Sequence, residues 1–96
     1  MRKLDMKQEP TGSLDKSGLE IYTGDIVASS DPKHRTGTTS DYQVVTRDEH
    51  DTPKGKLTIF EPVGYYINGS FEIVGTIFSS TSEELNKWGI YVKEQV

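Results

Sequence analysis

The chain has 96 residues, enough for one domain with a modest core. Only 32% of them are apolar, mean hydropathy is -0.61 and the formal net charge is -4. With no Cys, disulfides and thiolate metal sites are excluded; no apolar run is long enough for a membrane-crossing helix, and the acid excess argues against non-specific binding to nucleic acid, whose phosphates demand cations.

The first residues, Met1-Arg2-Lys3-Leu4-Asp5, lack an apolar signal-peptide core, so a cytoplasmic protein is expected. Residues 1–10 alternate charge without periodicity and read as a flexible arm; residues 11–96 read as a single domain. In the arm, Leu4 and Met6 lie two apart, the spacing of a short docking strand.

Asp15-Lys16-Ser17-Gly18 is a turn signal, because Asp bonds the backbone two residues on and Gly accepts positive φ. Leu19 to Tyr22 is a short strand, Gly24-Asp25 a second turn, and Ile26-Val27-Ala28 resumes an apolar run. Ser29 to Asp41 is a long polar loop whose only basic cluster is Lys33-His34-Arg35. Tyr42 to Arg47 (YQVVTR) reads as a strand. Asp48 to Gly55 (DEHDTPKG) reads as a polar turn; its Asp48-Glu49-His50-Asp51 run has the composition of a metal cluster, but adjacent residues on an exposed turn rarely converge on one ion.

Lys56 to Glu61 (KLTIFE) is the next strand. Asn68-Gly69 is a strong type I′ turn signal and predicts a hairpin between Gly64–Ile67 and Ser70–Ser79. Phe71 to Phe78 is apolar on both faces, which predicts a central core strand. Ser80 with Glu83, or Thr81 with Glu84, fits a capping box that opens a helix ending near Trp88, with Gly89 as its stop. Trp88 is expected to cover an open end of a barrel, and Ile90-Tyr91-Val92 to form a last strand or tail.

The stretch Thr11 to Val27 has the pattern TG-x-x-DK-x-G-x-EIY-x-GDIV, and Phe71 to Phe78 reads FEIVGTIF. Together, in this order, they resemble the signature of the YopX family of phage and prophage proteins. Thr76 stands where that family usually carries Asn. The resemblance implies a β-rich phage protein in a bacterial host cell and transfers no catalytic residue.

The residues themselves predict a mainly β fold, a small SH3-like barrel of five or six strands with a short C-terminal helix. No nucleophile with a base, no phosphate-binding loop and no cofactor motif can be assembled, so a non-catalytic protein without cofactor or metal is expected. The candidate binding residues are Tyr22, Asp25, Tyr65, Tyr66, Lys33 and Arg35. The low apolar content and the two-faced strand Phe71–Phe78 point to a homo-oligomer, with another protein as an alternative partner. A second reading is a single-stranded nucleic-acid binder using Tyr22, Tyr65 and Tyr66 with Lys33, Arg35, Lys54 and Lys56, although the net charge disfavours it. A third is an oligomeric sink for a small host molecule.

Overall fold

A computed structural model describes residues 7–90. Among them, seven strands and one helix follow in order: β1 (Pro10–Leu14), β2 (Glu20–Tyr22), β3 (Asp25–Ser29), β4 (Tyr42–Val44), β5 (Thr46–Thr52), β6 (Gly55–Glu61), β7 (Phe71–Thr76) and α1 (Ser82–Lys87). The strands pair antiparallel in three small sheets, β1-β2, β4-β3-β7 and β5-β6, none of which closes on itself. The protein is mainly β, as its strand signals predict.

β3 is the centre. Its residues Asp25 to Ala28 are all buried, and alternation sends them to opposite faces. Val27 packs with Ile21, Val45 and Val63 on one face, where Phe60, Phe71 and Ile73 lean in. Ile26 packs with Ile77 and Leu85 on the other, under Tyr42, Val44, Val74 and Trp88. A slip in the β3–β7 register lets this work: Ile26 opposes Gly75 but Val27 opposes Ile73. Val74 is the extra residue of a bulge, so adjacent Ile73 and Val74 reach opposite cores. The two-faced pattern of Phe71–Phe78 is real, but β7 is an edge strand, and β3 takes the central place.

Two further expectations are overturned. Asp48 to Thr52 is strand: β5 pairs with β6 from Thr46↔Glu61 to Thr52↔Gly55, and the turn is only its tip. Both faces of this ribbon meet water over most of its length, so no apolar alternation betrays it. The Asn68-Gly69 hairpin does not form. Ser70 N donates to Ile67 O at 3.2 Å and only Gly69 has positive φ, a type II pattern in place of I′. The segment before it makes a single 3-10 turn, Val63–Tyr65, while β7 pairs with β3. Asn68 Oδ1 accepts from Leu14 N at 3.0 Å, an acceptor role outside the turn.

The helix matches its signal. Thr81 is the N-cap, and its hydroxyl and the Glu84 carboxylate complete a capping box. Gly89 follows with φ 72. Leu85 is the buried anchor, and Trp88 lies over Gly75, where an added Cβ would meet the indole Cη2 at 2.8 Å. Trp88 is therefore packing for the Ile26 face of the sheet, beside Tyr42 at 6.2 Å between ring centroids. At the other end, buried Thr23 accepts from Glu9 N at 2.7 Å and donates to Lys7 O, tying residues 7–9 to the domain. The expected Leu4–Met6 strand and the tail from Tyr91 lie outside the described residues.

Candidate functional site

The six candidate residues separate into two groups. Asp25 serves the fold, and Tyr22 meets it through its backbone. Asp25 is buried, and its Oδ2 accepts the Tyr22 N–H at 2.8 Å, which closes the Gly24 turn. Burial pushes this carboxyl above its usual range, and the Tyr22 hydrogen bond partly opposes the shift. Arg35 is committed too: its guanidinium pairs with Glu72 on β7, and Nε donates to Ser29 O at 2.8 Å. Lys16 also reaches Glu72, at 3.0 Å. Glu72 thus fastens the first turn and the long loop to β7. The two cations hold its carboxyl below the usual glutamate range, Lys16 foremost. Lys33 is exposed on a 3-10 turn, Pro32–His34, capped by Asp31.

Tyr65 and Tyr66 form the other group. Each is 58% exposed, and Ile67 beside them is 84% exposed. The 3-10 turn that ends at Tyr65, followed by extended Tyr66, turns three successive large side chains outward. Tyr66 meets Phe71 edge-to-face at 5.1 Å, which fixes its ring. Tyr65 Oη donates to Glu61 Oε1 at 3.2 Å. Desolvation first, and Glu61 second, raise the phenol above its ordinary pKa.

Two grooves meet at Tyr66. One, of about 540 Å³, is lined by Gln43, Val44, Thr46, Glu61, Pro62 and both tyrosines. The other, of about 680 Å³, runs past Ser30, Asp31, His34, Ser40 and Phe71. Lys33 and Arg35 line neither groove.

Comparison with protein-family models, with curated proteins and with solved structures gives no match to this chain.

One cluster escapes the sequence reading. Asp48, His50 and Glu61 bring ligand atoms within 4.8 Å of one another. The DEHD run does not wrap an ion by itself, but the hairpin register supplies Glu61 from the next strand. An Asp-x-His alternation, which places both side chains on one strand face, is the local signal that points to it. Among the described residues, each histidine faces a carboxylate: His50 with Asp48 at 3.3 Å and His34 with Asp31 at 4.0 Å.

Proposed function

We propose that this chain is a non-catalytic phage or prophage accessory protein that acts by binding and assembles as a homo-oligomer. The observation that carries the reading is the outward-facing run Tyr65-Tyr66-Ile67 at the junction of two grooves. Three consecutive large side chains turned into water by a 3-10 turn suit an interface better than a monomer surface. A second copy is the occupant: the apolar fraction is low for a self-sufficient domain, and a self-complementary patch completes burial by pairing with itself. The phage setting rests on the motifs Thr11–Val27 and Phe71–Phe78.

We read the three sheets as segments of a small SH3-like barrel. Backbone bonds that tie the β1–β2 hairpin to β7 and the turn before it support this: Lys16 N to Phe71 O at 2.9 Å and Gly69 N to Leu14 O at 3.0 Å.

The exposed tyrosine pair also favours a second reading, stacking of single-stranded nucleic acid, but the commitment of Arg35 to Glu72 and the net charge weigh against it. Native mass spectrometry on gently purified full-length protein tests the proposal. A discrete oligomer is expected, and a bare monomer overturns it. Extra mass equal to a nucleotide or oligonucleotide favours the second reading.

A further inference from the structure

We propose that Asp48, His50 and Glu61 form a site for a divalent transition cation of the Zn²⁺ class on one face of the β5–β6 ribbon. This goes beyond the binding role above and does not depend on it.

The register builds the site. Asp48 and His50 are two apart on β5, so both project from the same face. Glu61 opposes Thr46, which shares that face, and so lies diagonal to Asp48. Leu57 opposes His50 and Ile59 opposes Asp48, so apolar side chains flank the cluster on the same face. Two ligands of one tetrahedral Zn²⁺ lie roughly 3.4 Å apart at bond lengths of about 2.0–2.2 Å. The His50 Nε2–Asp48 Oδ2 separation is 3.3 Å, and Glu61 falls within 4.8 Å of both. Glu61 completes the set by turning toward the ion, while its Oε1 accepts from Tyr65 Oη at 3.2 Å.

The charges ask for a cation. Two carboxylates share the face, and among the described residues no lysine or arginine comes within ion-pair distance of Asp48 or Glu61. The neighbouring cations, Arg47 and Lys56, sit at alternate positions on the opposite face, with Arg47 turned to Glu9 and Glu49. A neutral imidazole with two carboxylates makes a borderline N/O donor set, which suits Zn²⁺ and its neighbours; Mg²⁺ and Ca²⁺ prefer oxygen alone. Three protein ligands leave one position for water, and side-chain exposures of 45% for Asp48 and 46% for His50 leave the ion a way in.

The test is calorimetric titration of Zn²⁺ into full-length protein stripped with chelator. The expected result is one Zn²⁺ per chain, binding weakened by about tenfold or more in His50→Ala, and no change in His34→Ala. Imidazole NMR resonances of His50, and not of His34, shift on addition. His50 is exposed, so its variants keep the fold, and circular dichroism checks that they do. Absence of Zn²⁺ binding overturns the proposal. So does binding unaltered in His50→Ala, binding lost in His34→Ala, or displacement of Zn²⁺ by equimolar Mg²⁺.

Discussion

Gly24 shows how much one residue fixes. Its φ is +88, and a Cβ there would sit 2.3 Å from the Phe78 ring. Phe78 is exposed enough to swing aside, but the backbone penalty stays. Gly24→Ala is expected to cost about 1–2 kcal/mol in chemical denaturation even when combined with Phe78→Ala. Asp25 gives a sharper contrast. Its side chain accepts the Tyr22 N–H, and burial disfavours its charge. Asn keeps the acceptor and removes the charge, so Asp25→Asn is expected to match or exceed wild-type stability at neutral pH. Asp25→Ala strands a backbone donor and is expected to lose about 1–3 kcal/mol. Because the folded-state pKa of Asp25 is raised, its stabilising contribution is present at low pH and lost as pH rises through that value. Glu72 has the opposite sign. Its folded-state pKa is depressed, so its contribution is complete above the usual glutamate range and is lost as pH falls through the depressed value. Glu72→Gln is expected to lower stability at neutral pH by about 0.5–1 kcal/mol and to flatten the acid limb of a stability-against-pH curve.

Among the elements, those coded by neighbours in sequence were legible and those coded by distant partners were not. The Thr81–Gly89 helix could be read in advance because a capping box and a terminal glycine act within one or two turns. Thr81→Ala is expected to cost about 1 kcal/mol and to loosen Trp88 from Gly75, read as a red-shifted indole emission. The turn at Asp15 was equally legible: its carboxylate accepts from Ser17 N and Leu19 N, both at 2.9 Å. The Asn68-Gly69 signal misled because a local turn preference does not say which strands meet. β7 gains more from the buried edge of β3 than from the exposed Tyr65–Ile67 segment. The DEHD run hid a strand because a ribbon wet on both faces needs no apolar period. For the same reason Glu61 could not be placed beside His50: their meeting depends on a register set from the hairpin tip. Tyr65 and Tyr66 were recognisable as surface candidates, but Arg35 was not recognisable as a fastener, since Glu72 lies 37 residues away.

At the scale of the whole molecule, one buried strand carries two thin cores, each built from a handful of side chains. Such a domain has little burial in reserve. Yet it leaves Leu19, Tyr65, Tyr66 and Ile67 more than half exposed. The proposed self-association through Tyr65-Tyr66-Ile67 would reconcile the two. Sedimentation velocity of wild-type protein beside Ile67→Lys, across the micromolar range, tests this most directly. The wild type is expected to sediment as a discrete oligomer, and Ile67→Lys as a folded monomer, since a charge at the centre of an apolar contact is left unpaired on association. A wild type that stays monomeric throughout, or an Ile67→Lys variant that assembles unchanged, would contradict it.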